Sequence, residues 1–172
     1  EGRDHTDTLI LGAAPTVWMS CFPKAVSAVM VVARQAQSVV RLSEAMVKTR
    51  RYSFPNPGRF ECADPALNAI WRNSRRTLDA TVQETFMDAP GKEQTQYIAD
   101  ALIESWASYH VYGDFSLAAR SLVEFASAQF ETGEMPAACP SGLYWNIADY
   151  ALLWPVWLRQ HYLYTGDRKL LD

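Results

Sequence analysis

The chain has 172 residues, of which 49% are hydrophobic and 20% are charged, and this composition excludes an intrinsically disordered chain. The 16 basic and 19 acidic residues give a formal net charge of -3, so no basic surplus is available to bind nucleic-acid phosphates. The longest apolar run, residues 25–33, is far shorter than the roughly 20 residues that cross a bilayer. We therefore expect a globular domain that binds neither nucleic acid nor membrane.

The first part of the chain, residues 1–50, shows no clear hydrophobic period. Prolines interrupt it, and we expect the apolar run over residues 25–33 to form a strand or a buried helix. Two prolines, an asparagine and a glycine within residues 52–59 then predict a turn and a domain boundary. The chain thus divides into an N-terminal segment, residues 1–50, which is either the tail of a β-domain or unrelated to one, and a helical part, residues 51–172.

Two helices are predicted first in the helical part. The first covers residues 64–84, where Asp64 followed by Pro65 is typical of an N-cap with proline in the first turn. The second covers residues 93–112 and ends at Gly113. Apolar residues occupy most of the circumference of this second helix, so we expect it to be buried on all sides.

Two further helices are predicted after Asp114. The third is amphipathic, and the fourth covers residues 146–165, is kinked near Pro155 and ends at Gly166. Alternation of buried and amphipathic helices favours a double layer, as in an α/α barrel, over a four-helix bundle. Six helical hairpins need about twelve helices. The predicted fold class is therefore all-α, a partial (α/α)6 six-hairpin barrel after a short N-terminal segment.

The densest group of polar residues lies around the start of the second predicted helix. If that helix begins near Glu93, then Glu93, Tyr97 and Asp100 share one face, and Asp88 precedes them on a loop. Such a group suits glycoside hydrolysis, in which one protonated carboxyl gives its proton to the leaving oxygen while other carboxylates bind sugar hydroxyls. Crowding raises the pKa of the most buried carboxyl. The alternative is that Glu93 and Asp100 merely favour a helix N-terminus and solvent.

Three ordered motifs resemble the catalytic domain of the bacterial α-L-rhamnosidases, glycoside hydrolase family 78. They are FECADPALNAIW at residues 60–71, ETFMDAPGKEQTQYIADA at 84–101 and YTGD at 164–167, and the resemblance extends over residues 45–172. It implies a six-hairpin α/α barrel and an inverting hydrolase that removes terminal α-L-rhamnose or a related sugar from a carbohydrate substrate. The acid–base chemistry requires no metal and no organic cofactor, and no pair of histidines has metal-ligand spacing.

The resemblance also assigns roles to residues of the second motif. It implies that Glu93 is the general acid and that Asp88 and Asp100 bind sugar hydroxyls. Tyr97 stands where a tryptophan is usual, and Lys92 stands where an arginine is usual. Lysine keeps the charge but loses the bidentate fork, so the identity of the bound sugar is the property most affected by these departures.

Trp145 and Asp149 resemble the tryptophan and aspartate that line the sugar subsite in this family, although Trp145 could equally anchor the core. The catalytic base of the family lies on a later hairpin, and no residue of this chain matches it. We therefore expect the chain to be part of a longer exo-acting glycosidase and to be inactive alone. The alternatives are a non-catalytic carbohydrate-binding or scaffold protein with a vestigial barrel, and a helical interaction module.

Overall fold

The computed structural model describes residues 5–142 and 144–171. Its helices follow in the order α1 (Pro65–Thr81), α2 (Ile98–Tyr112), α3 (Ser116–Ser127) and α4 (Ala148–Thr165). No strand is present in these residues, where β-pairing is limited to isolated bridges. The predicted all-α class is therefore confirmed. None of the four helices combines the length and the apolar character of a membrane span.

The N-terminal segment differs from its prediction. Residues 5–64 contain neither helix nor strand, and most side chains up to residue 50 are exposed. The expected strand or buried helix over residues 25–33 is wrong, because Val29 is 70% and Met30 is 86% exposed. An apolar run adopts regular structure stably only where another element covers it, and residues 25–33 are exposed.

The helix ends follow the local chemistry of the sequence. The Asp64 carboxylate accepts a hydrogen bond from the Ala66 N–H at 2.8 Å and so caps α1. Gly113 and Gly166 end α2 and α4 with φ of 61° and 67°. Only glycine adopts this left-handed backbone without a steric cost, so both predicted helix ends are confirmed.

Helix α2 lies at the centre of the fold and packs against each of the other three helices. Its inward side chains meet Phe125 of α3 and Trp157 of α4, both fully buried. The prediction that α2 is buried on all sides is wrong along one strip, since Ile103 is 63% exposed. Helix α4 is apolar around most of its circumference, yet Leu152 is 73% exposed, so its apolar pattern does not mark a buried face. Pro155 lies within α4, as predicted.

The segment before α1 is attached to this core by ring stacking and a backbone contact. The rings of Phe54 and Tyr112 are parallel with centroids 3.8 Å apart. The Gly58 N–H donates to the Val111 carbonyl oxygen at 2.6 Å. These two contacts hold residues 52–58 against the C-terminal half of α2.

We expect Gly58→Ala to lower the free energy of unfolding by about 1 to 3 kcal/mol, the usual cost of overpacking. A Cβ at Gly58 would overlap the Val111 carbonyl oxygen, which belongs to the backbone of α2 and cannot rotate away. Urea denaturation of both proteins measures the difference. Gly12→Ala is the matched control, because a Cβ there meets no atom within 4 Å. Equal stabilities of the two variants would contradict the close packing.

Candidate functional site

An open cavity of about 270 Å³ lies where α2 and α4 begin. Its volume is close to that of small-molecule sites, which begin at roughly 300 Å³. Five of the residues predicted from the sequence line it, together with two residues of the α4 start that were not predicted. The lining consists of Asp88, Glu93, Tyr97, Asp100, Trp145, Ile147 and Tyr150.

Glu93 and Tyr97 reach this cavity from a loop. The prediction that a helix starts near Glu93 and places these residues on one helical face is wrong, because α2 begins at Ile98. Asp88 and Thr95 close the loop by two hydrogen bonds, from the Thr95 N–H to Asp88 Oδ1 at 2.9 Å and from the Asp88 N–H to the Thr95 carbonyl at 3.0 Å. Gln94 has φ of 53°, which is incompatible with a right-handed helix.

Tyr97 is fixed by pairing with a distant segment. It forms an antiparallel bridge with Ala138, and the Ile98 N–H donates to the Ala137 carbonyl at 3.3 Å. The Ala137 N–H in turn donates to the Trp145 carbonyl at 2.9 Å. This pairing brings Trp145 next to Tyr97 although 48 positions separate them in the sequence.

A buried amide ties the two paired segments to α3. Gln96 is 2% exposed, and its Oε1 accepts a hydrogen bond from Ser121 Oγ at 2.7 Å. Its Nε2 donates to the Cys139 carbonyl at 2.6 Å. Both ends of the amide are therefore satisfied, as a buried polar group requires. Gln96 was not singled out from the sequence, because its partners lie 25 and 43 residues away.

Three aromatic rings form one wall of the cavity. The Tyr97 ring contacts the Trp145 ring edge to face at 5.6 Å between centroids, and the Tyr150 ring at 6.2 Å. Trp145 is 39% exposed, so it does not anchor the core. Partly exposed rings held edge to face present a rigid apolar surface with little loss of side-chain entropy. Such a wall can stack against the apolar face of a sugar.

The carboxyl groups of the cavity interact with the wall and with one another. The Tyr97 hydroxyl donates to Glu93 Oε2 at 2.5 Å. This hydrogen bond, followed by burial and by the charges of Glu93, Asp88 and Asp100, raises the pKa of Tyr97 to about 12. Burial raises the pKa of Asp100, the charges of Asp88 and Glu93 raise it further, and its own backbone N–H opposes them. The cavity thus concentrates negative charge.

A further carboxyl, Glu104, lies one turn along α2 from Asp100. Its Oε2 is buried and has no hydrogen-bond partner among the described residues. Burial raises its pKa to about 7, and the charges of Asp100 and Asp88 act in the same direction, whereas the Thr81 hydroxyl and the Met87 N–H oppose the shift. The only sequence signal was its spacing of four residues from Asp100, which on a helix gives a shared face.

The raised pKa of Glu104 predicts a pH-dependent stability. The folded protein keeps the Glu104 proton up to about pH 7, whereas the unfolded chain releases it near the ordinary value of 4.5. The stabilising contribution is therefore complete below pH 4.5 and is lost as the pH rises to about 7. Glu104→Gln cannot ionise, so we expect it to be more stable than the wild type above that pH by up to about 3 kcal/mol.

Urea denaturation at about pH 5 and about pH 8 measures this effect. The increase in the free energy of unfolding from Glu104→Gln should appear at the higher pH and be smaller at the lower pH. Glu131→Gln is the control, because Glu131 is an exposed glutamate outside α2. A gain that is the same at both pH values would show that Glu104 does not titrate in this range.

The remaining predicted residues lie outside the cavity lining. Lys92 is exposed on the loop next to Glu93, and Asp149 is exposed in the first turn of α4. His161 is buried and its Nδ1 is 2.9 Å from the Tyr109 hydroxyl, within the core. Within residues 5–142 and 144–171, no three His, Cys, Asp or Glu side chains are grouped as metal ligands.

The chain is similar to known proteins in sequence and in fold. A family model described as the bacterial alpha-L-rhamnosidase 6 hairpin glycosidase domain matches residues 55–172. Among solved structures, the GH78 family rhamnosidase of Bacillus sp. GL1 is similar, with 28% sequence identity and a TM-score of 0.66. That match covers 70% of this chain and 13% of that chain. No curated protein matches the chain significantly.

The family model covers the four helices and the whole cavity lining. The prediction of an all-α fold that contains part of a six-hairpin barrel is therefore confirmed, and the resemblance seen in the motifs is confirmed with it. The chain belongs to the bacterial α-L-rhamnosidase six-hairpin glycosidase domain family.

Proposed function

We propose that this chain carries the acid half of an inverting glycosidase that removes terminal α-L-rhamnose or a related sugar. The observation that supports the proposal is the cavity itself, in which Glu93, two aspartates and an aromatic wall surround a single open space. Glu93 is the general acid of this proposal. The carboxyl is exposed to the cavity, where a glycosidic oxygen can approach it.

In the proposed reaction the protonated Glu93 carboxyl transfers its proton to the leaving oxygen as the bond between that oxygen and the anomeric carbon breaks. Asp88 and Asp100 accept hydrogen bonds from sugar hydroxyls. Their negative charge also stabilises the positive charge that develops on the ring in an oxocarbenium-like transition state. Tyr97 and Trp145 supply the surface on which the sugar rests.

The sugar class is proposed from the chemistry of the lining. Ile147 gives an apolar contact in a cavity that is otherwise carboxylate and aromatic. A 6-deoxy sugar such as rhamnose carries a methyl group where most hexoses carry a hydroxymethyl group, and a methyl group is favoured against an isoleucine side chain. Lys92, exposed beside Glu93, is a candidate for binding the substrate through its positive charge.

An inverting reaction needs a second carboxylate that activates water on the opposite face of the sugar, with the two carboxyl groups roughly 6.5 to 9.5 Å apart. Glu104, Glu124, Glu131 and Glu134 follow Glu93 in the sequence, and none of them lines the cavity. The chain covers only 13% of the similar rhamnosidase, and we propose that the base lies on a later hairpin of a longer enzyme and that the chain alone does not hydrolyse glycosides.

The test uses the polypeptide encoded by the natural gene, with an aryl α-L-rhamnoside as substrate. Proton NMR in the first minutes identifies the anomer that is released, and the proposal expects β-L-rhamnose. An aryl β-D-glucoside is the matched control and is expected to be hydrolysed far more slowly. Release of the α-anomer would contradict inversion, and absence of hydrolysis would contradict the glycosidase.

A second candidate is a non-catalytic carbohydrate-binding protein, in which Asp88, Glu93 and Asp100 hold a sugar without cleaving it. Among the described residues Glu93 is the only glutamate that lines the cavity, which favours this candidate. It predicts saturable binding of L-rhamnose, measured by calorimetry, without turnover of any rhamnoside. Loss of this binding in Asp100→Asn would then locate the sugar in this cavity.

A further inference from the structure

The hydroxyl of Tyr97 contacts the general acid proposed above. It donates to Glu93 Oε2 at 2.5 Å. The ring that carries this hydroxyl is held by edge-to-face contacts with Trp145 and Tyr150, and its backbone is held by the bridge to Ala138. The donor is therefore fixed, whereas Glu93 lies on an exposed loop.

Ordering a glutamate side chain costs conformational entropy. A hydrogen bond to a charged group is stronger than one between neutral groups and can offset that cost. A proton donor also needs its position held within about half an ångström to be effective. The hydrogen bond from the Tyr97 hydroxyl restrains Glu93 Oε2 in this way.

We propose that Tyr97 is a positioning residue that holds the Glu93 carboxyl in place for proton transfer and stabilises the carboxylate left behind. The inference rests on the proposed role of Glu93. As the glycosidic bond breaks, its electron pair stays on the leaving oxygen, which takes the Glu93 proton and departs as an alcohol. Glu93 becomes a carboxylate, and the Tyr97 O–H donates to it.

This hydrogen bond grows stronger as Glu93 loses its proton, because charge-assisted hydrogen bonds are roughly twice as strong as neutral ones. An interaction that is stronger in the transition state than in the ground state raises the rate of the chemical step. The pKa of Tyr97, raised to about 12, keeps its hydroxyl protonated at any pH at which a glycosidase works. A tryptophan, the usual residue at this position by resemblance, has no such hydroxyl.

Tyr97→Phe in the full-length enzyme tests the inference with two substrates. An alkyl α-L-rhamnoside needs protonation of its leaving oxygen, whereas α-L-rhamnosyl fluoride carries a leaving group that departs with little help from an acid. We expect kcat for the alkyl rhamnoside to fall about 10- to 100-fold, the loss of a hydrogen bond to a charged group. KM should stay within about threefold, since the ring remains, and the fluoride should react at nearly the wild-type rate.

Two more variants complete the experiment. Tyr97→Trp keeps a large ring without the hydroxyl and is expected to show the same dependence on the leaving group. Tyr144→Phe removes the hydroxyl of an exposed tyrosine outside the cavity lining and is expected to leave both rates unchanged. Thermal unfolding of each variant reports any loss of folded protein.

An equal loss on both substrates, or no loss on either, would overturn the positioning role of Tyr97. Glu93→Gln measured in parallel separates this outcome from a failure of the proposed function. If Glu93→Gln shows the dependence on the leaving group and Tyr97→Phe does not, only the inference fails. If Glu93→Gln shows no such dependence, the proposed function fails.

Discussion

Glu93→Gln is expected to lower kcat/KM for an alkyl α-L-rhamnoside by about a hundred to ten thousand fold, the usual contribution of a general acid. Glutamine has nearly the shape of glutamate, and its side-chain oxygen can still accept the Tyr97 hydroxyl hydrogen bond. The cavity and the loop closed by Asp88 and Thr95 are therefore retained. The variant lacks only the proton that the leaving oxygen requires.

The leaving group distinguishes this loss from a general disturbance of the site. With α-L-rhamnosyl fluoride the loss should be less than about tenfold, because fluoride departs without full protonation. Glu131→Gln, the same change at an exposed glutamate outside the lining, is expected to retain wild-type rates on both substrates. An unimpaired Glu93→Gln would remove Glu93 from the acid role.

The ends of the helices could be predicted because they depend on chemistry within a few residues. Asp64 and Pro65 define the start of α1 through one side-chain hydrogen bond and one fixed backbone angle. Gly113 and Gly166 end their helices through a left-handed backbone. Each signal is local, so a reading of the sequence alone finds it.

The start of α2 could not be predicted in this way. Apolar and acidic residues continue at helical spacing back to Glu93, but tertiary contacts prevent a helix there. The Asp88 side chain binds the Thr95 N–H, and Tyr97 pairs with Ala138, which lies 41 positions further along the sequence. Neither contact leaves a periodic pattern.

The grouping of the acidic residues could be predicted from their spacing, whereas the backbone that groups them could not. Glu93, Tyr97 and Asp100 were predicted to share a helical face, with Asp88 on the loop before it. That helical face does not exist, because Glu93 and Tyr97 precede α2, and all four residues nevertheless line one cavity. No motif of the sequence contains Glu104, and only its burial in the structure reveals its raised pKa.

The apolar runs were the least informative signals. The segment over residues 25–33 and the outer face of α4 are both apolar, and both are largely exposed. Hydrophobicity indicates that a side chain favours burial, but the residues that would cover it belong to other parts of the fold. A sequence pattern therefore identifies candidates for burial and leaves their partners undetermined.

Asp100→Asn is expected to lower kcat/KM for rhamnosides by about 10- to 100-fold, the effect of losing a hydrogen bond to a charged acceptor. Asp100 lies in the first turn of α2 and lines the cavity beside Asp88 and Glu93. The amide keeps the shape of the carboxyl but loses the negative charge that grips a sugar hydroxyl and stabilises the positive transition state.

Glu131→Gln is the control, because it removes the charge of an exposed glutamate outside the cavity lining. It should change kcat/KM by less than about threefold.

The charge of Asp100 also raises the pKa of Glu104. Asp100→Asn should therefore lower the pKa of Glu104. The loss of stability described for Glu104 should then end at a lower pH than in the wild type. If Asp100→Asn loses activity and the pH dependence of its stability stays that of the wild type, Asp100 acts on the sugar and not through Glu104. An unchanged kcat/KM would exclude Asp100 from the binding of substrate.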